Sequence, residues 1–138
     1  MSNMLSEIYK NIEIWERKFK YIEKDYIYEP VIDLIIDIIE KYNYQEILDY
    51  GCGDGRFGYY FKTKKGKRRL VGVDVSKEAL RRCNNLYDEL YLTDGLSIPD
   101  KEFDFILLSS VLEYIPLKSW DIFFTNIKKR LSKEEVFL

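Results

Sequence analysis

A carboxylate and three alternating glycines stand in one short segment of this sequence, Asp49-Tyr50-Gly51-Cys52-Gly53-Asp54-Gly55. The apolar pair Ile47-Leu48 precedes the segment, and an aromatic run at residues 57–61 follows it. Strand, glycine turn and helix in this order are typical of a nucleotide-binding crossover. Because glycine lacks Cβ, it lets a ligand approach the backbone closely. The free N–H groups of the following helix then point at that ligand.

Two kinds of nucleotide fit this turn. The spacing Gly53-x-Gly55-x-x-Gly58 matches the dinucleotide fingerprint, which holds a pyrophosphate. The spacing Asp49-x-Gly51-x-Gly53-x-Gly55 instead places an acid at the strand end. A carboxylate there would repel a pyrophosphate, but it would bind an amine through a charge-assisted hydrogen bond. The acid therefore favours an amine-bearing nucleoside, and a glycine turn without any ligand is the remaining alternative.

Two further acids follow apolar segments that read as buried strands. Asp74 ends the segment 70–76, about 20 residues past the glycine turn, where an acid can hold both ribose hydroxyls of a nucleoside. Its alternative role is to cap the next helix, for which Ser76 is better suited. Asp94-Gly95 follows the segment 89–93. The Asp94 carboxylate could accept from an adenine amino group, or the pair could simply form a turn.

This combination, together with the segment 103–116, strongly resembles the motifs of the class I, Rossmann-like S-adenosylmethionine (SAM)-dependent methyltransferases. The resemblance covers about residues 31–138. It implies an α/β fold with a doubly wound, mainly parallel sheet and helices on both faces. It also implies SAM as the cofactor and transfer of its methyl group to an unidentified acceptor, most simply a small molecule. The cofactor-binding residues it implies are Asp49, Gly51, Gly53, Asp74, Val75, Asp94, Gly95 and Ser110.

The resemblance leaves the catalytic base, if any, unassigned. In the family, the chain after the fourth strand lines the site of methyl transfer, and Glu113 and Tyr114 are the nearest candidates there. The sequence departs from many relatives at Tyr114, where they have histidine. Histidine is absent from the whole sequence, which removes most zinc-site patterns, so we predict no metal site.

An amphipathic helix is predicted at the start of the chain. Its apolar residues recur every three or four positions, as expected for one face of a helix: Leu5, Ile8, Ile12, Trp15, Phe19 and Ile22. We assign residues 1–28 to this helix, which either packs on the domain or caps the site. Residues 29–138 form the SAM-binding domain. Its first helix begins at Pro30 and is apolar almost all round, which predicts deep packing.

The family's sheet normally has seven strands. Residues 135–138 read as the opening of the fifth strand, and strands six and seven have no counterpart in the sequence. We therefore expect a truncated domain. A bare sheet edge invites pairing with another chain, so a homo- or hetero-oligomer is a further expectation.

Composition limits the classes of function. The formal net charge of −2 argues against a protein that coats nucleic acid, and the sequence predicts neither a membrane-spanning run nor a signal peptide. A cytoplasmic protein is the default expectation, and Cys52 and Cys83 are expected to be free thiols. Two alternatives to an active methyltransferase are a non-catalytic SAM-binding or partner-activating subunit and an NAD-binding oxidoreductase.

Overall fold

The computed structural model describes residues 2–21, 30–109 and 111–132. Strands and helices alternate through the central part of the chain. Two short 3₁₀ helices, Leu112–Tyr114 and Leu117–Ser119, precede the last helix. The main elements are α1 Ser2–Tyr21, α2 Pro30–Lys41, β1 Glu46–Tyr50, α3 Arg56–Phe61, β2 Arg69–Asp74, α4 Lys77–Arg82, β3 Glu89–Leu92, β4 Phe105–Leu108 and α5 Trp120–Arg130.

The four strands form one parallel sheet in the order β3-β2-β1-β4. Tyr50 at the end of β1 lies opposite Val73 of β2 and Leu108 of β4. The chain steps outward from β1 to β3 on one side and then returns to place β4 on the other side. The order of strands thus reverses at β1, and the crevice beside the carboxyl ends of β1 and β4 is where such folds bind ligands. The predicted Rossmann-like α/β class is confirmed.

Alternating strand residues bury opposite faces of the sheet. Leu48 and Ile106 contribute to the apolar cluster that includes Phe123 and Ile127 of α5. Their strand neighbours Ile47 and Phe105 contribute to a second cluster on the opposite face, with residues of α2 and α3. A sheet covered on both faces needs apolar residues at successive positions, which explains the continuous apolar runs in the sequence.

Helix α2 buries only one of its faces. Ile32, Ile36 and Ile39 are buried, whereas Val31 is 49% exposed and Leu34 is 58% exposed. The predicted deep packing of this helix is therefore wrong. The physical reason is that α2 covers one side of a single sheet, which encloses residues spaced by three and four positions and leaves the others to solvent.

Acidic side chains anchor the amino-terminal ends of the strands, away from the crevice. Asp104 accepts from the backbone N–H groups of Gln45 and Glu46 at 2.8 and 2.9 Å. Asp88 accepts from the N–H of Leu70 at 2.7 Å and pairs with Lys65 at 3.1 Å. The basic segment 62–69 connects α3 to β2 and enters the strand at the end opposite the crevice.

After α5 the chain comes back beside β4. Phe103 forms a parallel bridge with Leu131; its N–H donates to Arg130 O at 2.7 Å, and its carbonyl accepts from Ser132 N–H at 2.9 Å. The predicted fifth strand at 135–138 lies outside the described residues. Among the helices that the structure describes, none is long and apolar enough to cross a membrane.

Candidate functional site

A cavity of about 320 Å³ opens at the carboxyl ends of β1, β2 and β4. Its floor is formed by the glycine turn, and residues of α1 and α2 form the opposite wall. The last residues of the strands and the segment after β4 complete it. The residues that line the cavity include Trp15, Phe19, Asp49, Gly51, Cys52, Gly53, Asp74, Val75, Thr93, Gly95, Leu96, Ser109, Val111 and Tyr114.

The glycine turn folds tightly over the end of β2. The N–H groups of Gly51 and Cys52 both donate to the carbonyl of Val73, at 2.8 and 2.9 Å. Gly51 has φ +78° and Gly53 has φ +58°, which is the left-handed region that favours glycine. Space is short as well, since a Cβ atom on Gly51 would lie 2.6 Å from Cγ2 of Val111. The sequence therefore uses glycine here for both conformation and room.

Asp74 ends β2 with a buried carboxylate that lines the cavity. Its Oδ2 accepts from Gly53 N–H at 2.9 Å, and its Oδ1 accepts from Ser76 N–H at 3.0 Å. Burial raises the pKa of Asp74, while these N–H donors lower it. Each oxygen keeps further acceptor capacity, so the carboxylate can also receive two ligand hydroxyls. The predicted helix cap is Ser76, whose hydroxyl accepts from Ala79 N–H at 3.1 Å.

Asp49 ends β1 and is enclosed, with 2% of its surface exposed. Its Oδ2 accepts a hydrogen bond of 2.6 Å from the hydroxyl of Tyr87. Burial raises the pKa of Asp49 to about 7; the Tyr87 hydrogen bond lowers it, and the charge of Asp74 raises it further. A cationic group entering the cavity would favour the ionised form of Asp49.

Tyr87 is the residue of this site that sequence reasoning missed. It lies between α4 and β3, in a segment whose apolar residues show no clear periodic spacing. Only the folded structure reveals its contact with Asp49, 38 residues away in the chain.

In the segment after β3, Asp94 forms the turn that was the alternative to its predicted contact with adenine. The Asp94 carboxylate accepts from the N–H groups of Leu96 and Ser97, both at 2.8 Å. Although burial opposes it, these bonds hold the pKa of Asp94 below its ordinary value. Asp94 thus closes its own turn and is not among the described residues that line the cavity, whereas Thr93, Gly95 and Leu96 are. Its role toward adenine stays a prediction.

Of the remaining predicted site residues, some line the cavity and others do not. Val75 lines the cavity, and Ser110 lies outside the described residues. Tyr114 lines the cavity and meets the ring of Trp15 edge-on, with centroids 4.9 Å apart. Glu113 is exposed and does not contribute to the described lining. Of the two candidate catalytic residues, Tyr114 alone therefore reaches the cavity.

Helix α1 closes over the glycine turn. The Phe19 ring is buried and comes within 3.3 Å of the position that a Cβ atom on Gly53 would occupy. Trp15 stacks on Phe19 with ring centroids 5.6 Å apart. Glu16 accepts from the backbone N–H of Lys77 at the start of α4. The predicted N-terminal helix is observed over Ser2–Tyr21, and its residues Trp15 and Phe19 form a wall of the cavity. The rest of the predicted segment 1–28 lies outside the described residues.

Beneath the turn lie two free cysteines. The Sγ atoms of Cys52 and Cys83 are 3.8 Å apart, and the Cys83 thiol donates to the carbonyl of Gly53 at 3.0 Å. The contact of Cys83 with Gly53 O supports the turn from the α4 side. The hydrogen bond with the Cys83 thiol, followed by burial, raises the pKa of Cys52 well above its ordinary value.

Known proteins resemble this chain in sequence. The sequence profile described as "Methyltransferase domain" matches residues 47–134, more than half of the chain. A "Probable methyltransferase ltbC" of Aspergillus luteorubrus is 28% identical over 59% of this chain and 33% of that protein. An uncharacterized protein of Methanocaldococcus jannaschii is 34% identical over 67% of this chain and 42% of its own length. The chain thus spans well under half the length of these relatives.

Solved structures agree with the fold. An S-adenosylmethionine-dependent methyltransferase of Clostridium acetobutylicum superposes with a TM-score of 0.64 at 23% identity, over 91% of this chain and 54% of that one. The plantazolicin methyltransferase BpumL, solved with a pentazolic desmethylPZN analog and S-adenosylhomocysteine (SAH), gives 0.60 at 20% identity, over 96% and 58%. The region matched by the sequence profile includes both buried carboxylates, Asp49 and Asp74. This chain belongs to the methyltransferase-domain family.

Proposed function

We propose that this chain binds SAM in the cavity and directs its methyl group to an acceptor molecule. The observation that carries this proposal is the pair of buried carboxylates, Asp49 and Asp74, at adjacent strand ends around one glycine turn. A buried carboxylate is costly unless it is paired. An amine at Asp49 and two ribose hydroxyls at Asp74 would add partners to those the protein already supplies, and SAM carries both groups.

The polar groups of the cavity fit SAM better than they fit a dinucleotide. Asp49 and Asp74 are acceptors when ionised, and their combined negative charge disfavours a pyrophosphate at the turn. Val75, Thr93, Gly95 and Leu96 offer a mostly apolar lining beyond Asp74, which suits an adenine ring. In this arrangement Asp49 orients the amino acid end, Gly51 and Gly53 allow close backbone approach, and Asp74 holds the ribose. Ser110 and Asp94 keep the roles predicted from the resemblance.

Bound SAM supplies an activated methyl group on a sulfonium, so the acceptor's nucleophile displaces a neutral thioether in line. The protein's share of the work is to align the two molecules and exclude water. Trp15, Phe19 and Tyr114 form an aromatic wall at the cavity that can serve both purposes. A base is needed only if the nucleophile carries a proton, and Tyr114 is the nearest described candidate.

We infer a small organic acceptor. The aromatic wall offers apolar surface rather than a row of cations, and the net charge of −2 gives no field that would attract nucleic acid. The plantazolicin methyltransferase BpumL, which was solved with a pentazolic desmethylPZN analog, has a similar fold. The identity of the acceptor must come from a substrate screen.

Calorimetric titration with SAH tests the proposal, with NADH as the control ligand. We expect SAH to bind with micromolar affinity and NADH not to bind. Binding of NADH in preference to SAH would overturn the proposal in favour of a dinucleotide site. A folded chain, verified by a cooperative thermal transition, that binds neither ligand would also overturn it.

A further inference from the structure

The ring of Tyr87 occupies a slot that two glycines leave open. A Cβ atom on Gly58 of α3 would lie 2.8 Å from Cε2 of Tyr87, and one on Gly72 of β2 would lie 2.9 Å from its Cδ1. Contacts this short are not tolerated, so any side chain at either position would displace the ring. The two glycines therefore make room for Tyr87 between the first crossover helix and the sheet.

The Tyr87 hydroxyl has two polar contacts at the end of this slot. It accepts from the N–H of Gly58 at 3.3 Å and donates to Oδ2 of Asp49 at 2.6 Å. Gly58 lies in the first turn of α3, where the N–H groups have no partner within the helix. The hydroxyl thus links the end of β1, the first turn of α3 and the segment before β3.

The direction of these bonds follows from the chemistry of the partners. A backbone N–H can only donate, so the hydroxyl must accept from Gly58 and its own hydrogen is left for Asp49. Burial raises the pKa of Tyr87 well above its ordinary value, so the hydroxyl keeps that hydrogen at neutral pH. Asp49 consequently receives a fixed donor on one oxygen, and no hydrogen bond from a described residue to its other oxygen is seen.

We propose that Tyr87 is a positioning residue for the cofactor's amine: it fixes the Asp49 carboxylate and stabilises its ionised form. The inference rests on the proposed SAM site, which it deepens by adding the residue that prepares Asp49. Tyr87 acts through Asp49 and is not assigned any contact with the ligand.

The groups around Asp49 make this donor necessary. Asp74 of β2 opposes ionisation through its negative charge, and burial opposes it more strongly. Cys52 of the glycine turn is close enough to feel the charge of Asp49, but its thiol is neutral. Among the described neighbours, the Tyr87 hydroxyl is the group that lowers the pKa of Asp49.

Tyr87→Phe tests the inference because it removes the hydroxyl and keeps the ring. SAH affinity is measured for the wild type, Tyr87→Phe and Asp49→Asn between about pH 6 and pH 8, a range in which Asp49 titrates. Comparison with Asp49→Asn at each pH cancels the ionisation of the ligand itself. We expect Tyr87→Phe to bind SAH roughly tenfold more weakly near neutral pH. The deficit should shrink as the pH rises, because Asp49 then ionises without help.

A ligand-free readout separates this inference from the proposed function. Carbon-13 NMR of the aspartate carboxyl groups follows the ionisation of Asp49 directly, and Asp49→Asn assigns its signal. We expect the midpoint of that signal to move to higher pH in Tyr87→Phe. The control is Tyr42→Phe, which removes a hydroxyl from a side chain that is 54% exposed and should leave the midpoint in place.

An unchanged Asp49 midpoint in folded Tyr87→Phe would overturn the inference, even if the wild type binds SAH. A loss of affinity that is equal at every pH would also overturn it, since that pattern reports a merely structural role. Failure of the wild type to bind SAH, with a shifted midpoint in Tyr87→Phe, would refute the SAM site and with it the assignment to the amine.

Discussion

The Oδ2 atom of Asp74 lies 2.9 Å from the backbone nitrogen of Gly53 and accepts its hydrogen bond. The residue expected to hold the ribose therefore also holds the glycine turn, which lies under the other end of the ligand. One carboxylate links the end of β2 to the turn that follows β1. A substitution at Asp74 should consequently affect both the expected ribose contact and the glycine turn.

Replacement of Asp74 by Ala should abolish measurable SAH binding. The variant removes the acceptors of the ribose hydroxyls and leaves Gly53 N–H without its partner, and losses of a few kcal/mol are expected for such unpaired polar groups. Calorimetry measures the affinity. The matched control is Asp88→Ala, because Asp88 also accepts a backbone N–H of β2, at the opposite end of the strand. It should lower stability but leave the affinity for SAH intact; equal losses in both variants would contradict the account.

The ligand-free protein should lose stability as the pH rises from about 4 to about 7. Burial raises the pKa of Asp49 from 3.8 to about 7, so the folded state binds this proton more tightly than the unfolded chain does. The resulting contribution to the free energy of unfolding is fully present below pH 3.8 and is lost on passing through about pH 7. Its size is on the order of a few kcal/mol.

Urea unfolding of the wild type and Asp49→Asn at several pH values measures this contribution. Asparagine does not titrate, so the difference between the two proteins isolates one group. We expect the wild type to lose stability relative to Asp49→Asn across this window. A difference that stays constant with pH would show that folding does not shift the pKa of Asp49.

Gly51→Ala should damage the site far more than Gly66→Ala. Both glycines have positive φ, +78° and +61°, so alanine is strained at either position, at about 1 kcal/mol. A Cβ atom at Gly66 meets nothing within 4 Å, whereas one at Gly51 would lie 2.6 Å from Val111 Cγ2. The extra clash should displace the segment after β4 and weaken SAH binding.

Thermal unfolding and SAH titration of both variants check this difference. Gly66→Ala should show only a modest loss of stability and normal affinity. The double variant Gly51→Ala/Val111→Ala should regain part of the lost stability, because the clashing methyl is gone. Equal behaviour of Gly51→Ala and Gly66→Ala would mean that space at the turn does not matter.

Residues at strand ends could be predicted because their positions follow from the chain itself. Once β1 and β2 are recognised as parallel neighbours, Asp49 and Asp74 must meet at the same edge of the sheet. The types of these residues and their spacing in the sequence are therefore sufficient to predict this part of the site.

The remaining contacts depend on how distant segments of the chain pack together, which a local sequence pattern does not predict. Tyr87 reaches Asp49 because Gly58 and Gly72 leave a slot between helix and sheet, a relation among three distant segments. Asp94 turns toward its own backbone because the N–H groups of Leu96 and Ser97 are nearer partners in the ligand-free chain. The exposure of Leu34 depends on how the sheet meets α2, which an apolar run cannot specify.

The most direct test of the site is to titrate the wild type and Asp49→Asn with SAH and with 5′-methylthioadenosine. The second ligand keeps the nucleoside and lacks the amino acid end, so it isolates the contact assigned to Asp49. We expect Asp49→Asn to weaken the binding of SAH by roughly tenfold to a hundredfold, which corresponds to the loss of a charge-assisted hydrogen bond. The affinity for 5′-methylthioadenosine should not change. Equal effects on both ligands, or no effect on SAH, would contradict the placement of the amine at Asp49.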